Sequence, residues 1–426
     1  MPASVPPLPF RDEPVPDETT LTGLHVDGTL PAALTGTCVR IGPNAVDPST
    51  SARQGLCGMV HAVELHAGRA VRYRNRFVTT DNVARALGTD RVPGPPAAGF
   101  DVVATNVISF AGQTFALGPG ALAYELDAEL TTVGRVDLAG RGRGIGAHPQ
   151  VDPFTGALHL VSYGDEPAHH IVAPNRHTRI TTPLADAPGA LHDILLTRER
   201  FVLLGEGFVG IADRSGQAAW RWIEDAGLLG AVSAPAFPSA VAAHDLGRAV
   251  AVLTANRWLL QWTVGPAGAR RDVLDDTPQR FGTTNRELVS APTYLWTVAA
   301  GGGTAVYRHD LRTGDRTTHD FGPGRHPGEL TFVTDPSRHH REDGGWLVGL
   351  VHDDDRTEAD LIVLDAAAID RTPVATVRVP RRVPSGLHGT WIPVPPRLQS
   401  DSIGSPTRSL PVAVGSGDLG GVVPAR

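Results

Sequence analysis

The chain has 426 residues, of which 41% are hydrophobic and 19% are charged, and its mean hydropathy is −0.09. This composition is typical of a protein with a large buried core, and it excludes a disordered chain, a collagen and a membrane-embedded protein. The net charge is −7, all 38 basic residues are arginines, and no basic run is present, so nucleic-acid binding is disfavoured.

The first 20 residues are rich in proline and acids and lack the basic start and apolar segment of a signal peptide. They predict an irregular arm in a cytoplasmic protein. Residues 21–393 then contain short apolar or alternating runs separated by glycine turns, which predicts a single domain of β-strands. Residues 394–426 are rich in Pro, Gly and Ser and predict an irregular tail.

Many short strands without strand–helix alternation favour a β-propeller over a doubly wound fold. No exact repeat is visible, so the periodicity does not give the number of blades. Helical spacing is scarce, and we expect at most a few short helices. The fold class predicted from the pattern is therefore all-β.

Four histidines differ from the rest because each lies at the head of a strand or between glycines. They are His148, His192, His244 and His388. Their separations fit no local zinc motif, but strands of different blades converge on one axis and can bring distant residues to one metal. Two cysteines cannot form a zinc cage, so any metal would be held by imidazole. Five other histidines are predicted to be exposed: His66, His309, His319, His339 and His340.

Ordered motifs over residues 21–393 resemble those of the carotenoid cleavage oxygenases, a family of non-haem iron dioxygenases. The segments around His148 and His192 resemble the family's H-P-x-x-D-P-x-T-G and H-D-x-x-x-T. The other matching segments are GTCVRIGPN at 36–44, GMVHAVEL at 58–65, RYRNRFVTT at 72–80, GELTFV at 328–333, EDGGWLVGLVHD at 342–353, LIVLDA at 361–366 and VPRRVPSGLHGTW at 379–391.

The resemblance implies a seven-bladed β-propeller with a few short helices and loops covering an iron face. It also implies that Fe(II) is bound by His148, His192, His244 and His388, whereas His61 matches a position that is not a ligand. The implied substrates are dioxygen and a hydrophobic alkene, whose conjugated C=C bond is cleaved to two carbonyl products. Separately from the resemblance, the apolar stretch at residues 228–243 is expected to form a buried strand with a turn, and transient contact with a membrane surface is the alternative.

In this family three glutamates orient the iron-binding histidines. Glu329 matches one of them, and Asp276 falls where a second would lie, with Asp275 as the fallback. The third position is occupied by Pro119, which cannot accept a side-chain hydrogen bond. By this resemblance His192 loses its carboxylate, which is typically worth about 10–100-fold in metal affinity or activity.

The substrate class is predicted less directly. Stilbene-cleaving relatives place a lysine just before the missing glutamate, where this chain has Gly118 and contains no lysine at all. A carotenoid or apocarotenoid is therefore favoured over a stilbene or phenylpropanoid. The alternative from another class is an altered propeller that binds an apolar ligand without oxidising it, favoured by Pro119 and by the absence of the family's N-A after His244.

Overall fold

The computed structural model describes residues 14–47, 49, 57–97, 101–205, 207–214, 219–224, 240–288, 291–354, 358–384 and 386–394. Most of the predicted arm and all but one residue of the predicted tail lie outside these residues. Thr19 and Thr20, expected in the arm, begin the first strand.

The described residues form 28 strands and one helix, numbered in chain order. The first nine strands are β1 (Thr19–Thr22), β2 (Val26–Gly28), β3 (Gly36–Asn44), β4 (Cys57–His66), β5 (Arg69–Phe77), β6 (Asn106–Phe110), β7 (Gln113–Leu117), β8 (Ala123–Leu126) and β9 (Thr132–Val136). The next eight are β10 (Gln150–Val151), β11 (Leu158–Ser162), β12 (Ala168–Val172), β13 (Arg179–Pro183), β14 (Leu191–Leu196), β15 (Arg200–Gly205), β16 (Phe208–Asp213) and β17 (Arg221–Glu224). The last eleven are β18 (Ala240–Leu246), β19 (Ala249–Gly265), β20 (Gly268–Thr283), β21 (Tyr294–Ala299), β22 (Ala305–Asp310), β23 (Arg316–Asp320), β24 (Arg325–Thr334), β25 (Gly345–Asp353), β26 (Glu358–Asp365), β27 (Ala375–Val379) and β28 (Gly389–Pro393).

The helix α1 (Asp81–Leu87) follows β5 directly. The Thr80 side chain accepts a hydrogen bond from the Val83 amide, and Gly88 ends the helix at φ 67°. A polar N-cap and a left-handed glycine are the usual signals for such ends. Instead of the few short helices expected, the described part of the chain holds this one, and no helix there is long and apolar enough to span a membrane.

The strands form six antiparallel sheets arranged as a seven-bladed β-propeller, as the resemblance implied. Three sheets are simple four-stranded blades, in the orders β6-β7-β8-β9, β10-β11-β12-β13 and β14-β15-β16-β17. A six-stranded sheet, β18 to β23 in order, spans two blades because the long strand β20 pairs with β19 at one part and with β21 at another.

The two ends of the domain close the ring of blades. The last strand, β28, pairs with β3 in the sheet β1-β5-β4-β3-β28, with Gly389 opposite Arg40. The early strand β2 pairs with β27 at the edge of the sheet β2-β27-β26-β25-β24. Each of these two sheets therefore contains strands from both ends of the domain. The pairs β2–β27 and β3–β28 join its first strands to its last strands.

The apolar core lies between neighbouring blades. Strands covered on both faces read as continuous apolar runs rather than as an alternating pattern, and β25, with eight of its nine residues buried, is an example. The G-P-N segment at the end of β3 has a structural task, because the Asn44 side chain exchanges hydrogen bonds of 2.9 and 2.8 Å with the backbone of Val15.

Candidate metal centre

His148 lies in the loop that precedes β10. The loop is held by an isolated bridge between Ile145 and Ser162, and by the Asn106 side chain, which donates to the Ala147 carbonyl at 2.9 Å. After β10, Asp152 accepts hydrogen bonds from the Phe154 amide and from the hydroxyl of Thr155. The D-P-x-T-G segment that begins at Asp152 therefore forms a turn, and His148, which precedes it, lies on a loop held by hydrogen bonds.

His192 is the second residue of β14. The pairing of β14 with β15 shifts register between Leu191 and Asp193, so a β-bulge lies at this point. Bulges re-aim side chains and occur often beside active sites. The imidazole of His192 is about a fifth exposed, and its ring centre lies 4.6 Å from that of His148.

His388 lies just before β28, the strand that closes the ring of blades by pairing with β3. Its amide donates to the Thr105 carbonyl and its carbonyl accepts from the Ile41 amide. The following residue must be small, because a side chain on Gly389 would lie 2.3 Å from the Val39 carbonyl oxygen. This packing fixes the backbone that carries the imidazole.

Glu329, in a bulged part of β24, contacts His388 with both carboxylate oxygens engaged. Nδ1 of His388 donates to Oε1 at 3.1 Å, and the Gly389 amide donates to Oε2 at 2.9 Å. Burial opposes both charges, but their mutual attraction outweighs it: the pKa of His388 is raised and the pKa of Glu329 is lowered. With Nδ1 engaged, Nε2 is the nitrogen left for a metal.

The three imidazoles converge. The ring centre of His148 lies 4.6 Å from that of His192 and 4.9 Å from that of His388. Two imidazoles on adjacent positions of one metal ion have ring centres about 4.5–5.2 Å apart, because the metal–nitrogen distance is about 2.1 Å. Burial lowers the pKa of His148 to about 4, so this ring is neutral at pH 7, as a metal ligand must be. The donor set fits a divalent transition metal.

Two further groups border the three imidazoles and were not found from the sequence. Asp193 is buried beside His148 and His192, where burial opposes its charge but the two imidazoles outweigh it and lower its pKa. Phe281 lies edge-on to His388 at 5.6 Å, with φ 52° at a bulge of β20. A left-handed conformation is rare for an aromatic residue and occurs mainly at constrained sites. The sequence shows that Asp193 directly follows His192, but strand alternation predicts that the two side chains lie on opposite faces of the sheet.

His244 is not brought to this cluster, which corrects the predicted set of four ligands. Asp193 accepts from the Ala240 amide, and Asp245 contacts Thr197 at 2.9 Å, so β14 and β18 run side by side in the same direction. His244 is therefore level with the far end of β14, about 13–16 Å along the strand from His192. An imidazole side chain is too short to cross that distance.

Asp276 is also not brought to the site, because its side chain on β20 is exposed. The fallback, Asp275, forms an ion pair with Arg316 at 2.9 Å and accepts from the Thr277 amide at 2.7 Å. Both carboxylates belong to the first half of β20, whereas Phe281, which contacts His388, belongs to its end.

Pro119 is exposed in the turn between β7 and β8. The neighbouring Gly120 amide donates to the Ile145 carbonyl, three residues before His148, so this turn lies at the end of the blades where the imidazoles converge. The structure leaves no carboxylate at this turn position.

The remaining histidines divide differently from the prediction. His61 is buried with Nδ1 2.9 Å from the Tyr73 hydroxyl, in keeping with its expected structural role. His309, expected to be exposed, is buried against Gln279 and Thr297 because its blade is covered on both faces. His319 is half-buried, whereas His339 and His340 are exposed.

A family model and the curated proteins similar to this chain point to the same family. Residues 12–233 and 235–393 match the family described as retinal pigment epithelial membrane protein. A carotenoid cleavage oxygenase of Mycobacterium tuberculosis is 30% identical, covering 89% of this chain and 96% of the relative. The apocarotenoid-15,15'-oxygenase of Synechocystis is 22% identical, covering 86% of this chain and 92% of the relative.

Solved structures share the fold. A single-residue variant of the Synechocystis apocarotenoid oxygenase matches with a TM-score of 0.76 at 20% identity, over 90% of this chain and 98% of that one. Its cobalt-substituted form matches with a TM-score of 0.74 at 20% identity, over 90% of this chain and 97% of that one. The profile match over nearly the whole propeller and the 30% identical relative establish the family: this chain is an oxygenase that belongs to the carotenoid cleavage oxygenases.

Proposed function

We propose that the protein is an Fe(II)-dependent dioxygenase that cleaves a conjugated C=C bond of a carotenoid or apocarotenoid to two carbonyl products. The observation that carries this proposal is the convergence of His148, His192 and His388. The ring centre of His148 lies 4.6 Å from that of His192 and 4.9 Å from that of His388. The names of the relatives support the substrate class, since they describe cleavage of carotenoids or apocarotenoids.

The metal is assigned from the donor chemistry. Imidazole binds a metal in its neutral form, so three imidazole ligands would add no charge to a divalent ion and would leave several of its coordination positions free. Iron(II) held there would supply the activation of dioxygen that cleavage of a C=C bond requires. The His388–Glu329 pair lies beside it and fixes one ring through a charged hydrogen bond, which defines the direction of its free nitrogen.

The protein around the three rings would favour an apolar substrate. Phe281 packs edge-on against His388, and it belongs to an apolar core cluster that includes Trp296 and Leu330. The substrate would need no group that ligates the metal, because the metal would act on dioxygen and the alkene would only have to lie nearby.

The test is turnover by protein purified and loaded with Fe(II) under anaerobic conditions. A β-apocarotenal, a full-length carotenoid and a 4-hydroxystilbene are supplied with ¹⁸O₂, and carbonyl products are identified by mass spectrometry. We expect two labelled carbonyl fragments from a polyene and none after removal of the metal with a chelator. Cleavage of the stilbene alone would contradict the substrate class, and a protein that keeps iron but cleaves no substrate would favour an altered, ligand-binding propeller.

A further inference from the structure

The carboxylate of Asp193 lies against two of the three site histidines. Its Oδ1 is 3.2 Å from Nδ1 of His192 and 3.8 Å from Nδ1 of His148. Asp193 is 5% exposed, so its charge is only weakly screened by water and its attraction for the two neighbouring rings is correspondingly strong.

The backbone explains how adjacent residues can face the same centre. Successive side chains of a regular strand point to opposite faces, which would separate His192 from Asp193. The register shift between Leu191 and Asp193 removes that alternation at this point of β14. The bulge therefore serves to bring the carboxylate to its neighbour's ring.

The other carboxylate oxygen is held from the adjacent blade. Oδ2 accepts a hydrogen bond from the Ala240 amide at 3.1 Å, at the start of β18. Both oxygens thus have partners, and the carboxylate is fixed before any metal binds. This arrangement parallels Glu329, which also contacts one imidazole and one backbone amide.

We propose that Asp193 is a positioning residue that orients His192, and secondarily His148, for the metal. Asp193 belongs to the H-D pair that matches the family's motif, and in this chain, where Pro119 offers no carboxylate, it is the carboxylate that lies beside His192. The inference rests on the proposed function, since it concerns the same metal centre. The carboxylate lies beside Nδ1 of His192 at 3.2 Å and beside Nδ1 of His148 at 3.8 Å, so we expect Nε2 to be the nitrogen that each ring offers to the metal.

The experiment is a titration of the metal-free, full-length protein with Co(II), followed by its visible absorption. The variants are Asp193→Ala and Asp193→Asn, because the asparagine keeps an oxygen for the Ala240 amide but loses the charge. The matched control is Asp245→Asn. Asp245 joins the same two blades at their other end, where it contacts Thr197 and Arg200 at 2.9 Å and no site histidine.

We expect Asp193→Ala to raise the Co(II) dissociation constant about 10–100-fold and to change the shape of the absorption band. Asp193→Asn should have a smaller effect in the same direction, and it gives the answer if the alanine variant fails to fold. Asp245→Asn should leave the Co(II) dissociation constant and band unchanged. In the Asp193→Ala background, Pro119→Glu should recover part of the lost affinity.

Two results would overturn the inference while leaving the proposed function intact. One is unchanged Co(II) affinity and spectrum in both Asp193 variants. The other is an equal loss in Asp193→Asn and Asp245→Asn, which would mean that the carboxylates only join the blades. Failure of the unmodified protein to bind Co(II) would instead overturn the proposed function and this inference together.

Discussion

Two groups of buried imidazoles in this propeller differ in what surrounds them. At the metal centre, carboxylates lie beside the rings, with Glu329 at 3.1 Å from His388 and Asp193 at 3.2 Å from His192. In the blade of β10–β13, His159 and His169 hydrogen-bond to each other at 3.2 Å and pack on Phe201.

Burial by itself therefore does not separate the proposed metal centre from the second group of histidines. In the β10–β13 blade the hydrogen bonds of the buried rings are made to neutral groups, as for His170 with Ser162 and Thr181. In the group of His148, His192 and His388, Glu329 accepts a hydrogen bond from Nδ1 of His388, and Asp193 lies 3.2 Å from Nδ1 of His192. Compensating charge, rather than the number of imidazoles, distinguishes the two regions.

The largest expected effect is the loss of metal from His388→Ala. This variant removes one converging ring and leaves Glu329 buried without its partner, so we expect at least about a 100-fold loss of iron affinity. Iron content after anaerobic purification measures it, with His340→Ala, an exposed position, as the control. A His388→Ala protein that keeps stoichiometric iron would contradict the assigned centre.

The second prediction concerns the buried histidines of the β10–β13 blade. His169→Ala removes a buried ring that contacts His159, Phe201 and Trp220, so we expect the free energy of unfolding to fall by about 2–4 kcal/mol. Iron content of the folded protein should stay unchanged. Guanidinium denaturation and metal analysis of the same preparation give both values, and loss of iron without loss of stability would erase the distinction between the groups.

The third effect is smaller and concerns charge alone. Glu329→Gln keeps the size of the side chain but removes the charge that faces His388, so we expect iron or Co(II) affinity to fall about 10-fold. Glu342→Gln, which alters a carboxylate that caps the amides of Thr293 and Tyr294, is the matched control. Equal affinities in all three proteins would show that the carboxylate does not act on the metal.

A fourth effect is pH dependence of stability. Burial lowers the pKa of His159 to about 4 and of His169 to about 3. Because both pKa values lie below the unfolded value of about 6.5, stability is full above pH 6.5 and falls as the pH decreases toward 4. Because the unfolded chain binds up to two more protons than the folded protein in this range, we expect a loss of about 2–3 kcal/mol per pH unit in the metal-free protein. His169→Phe should make this loss less steep, and an identical slope in both proteins would exclude His169 as its source.

The smallest expected effect is that of His244→Ala on metal binding. His244 lies at the far end of β18 from the three rings, so iron content should be unchanged within error. A loss comparable to that of His388→Ala would show that β18 adopts another register in the metal-bound protein. The measurement uses the same anaerobic preparations as the first prediction.

The sequence predicted some residues of the site and missed others. The motifs around His148, His192 and His388 and the match of Glu329 were sufficient to select residues that the structure brings together. Asp276 and His244 were chosen by order along the chain, which does not say how far along a strand a side chain lies. Asp193 was missed because strand alternation, the usual guide, is broken by the bulge in β14.

The sequence by itself determined the all-β class and the family, because apolar runs, turn residues and motifs are local properties of the chain. Only the tertiary structure decided which carboxylate meets which imidazole. Glu329 reaches His388 across 59 residues through the closure of the ring by β28. The alignment of β14 beside β18 likewise separates His244 from the centre, because the hydrogen bonds between blades, not the spacing of residues, set that register.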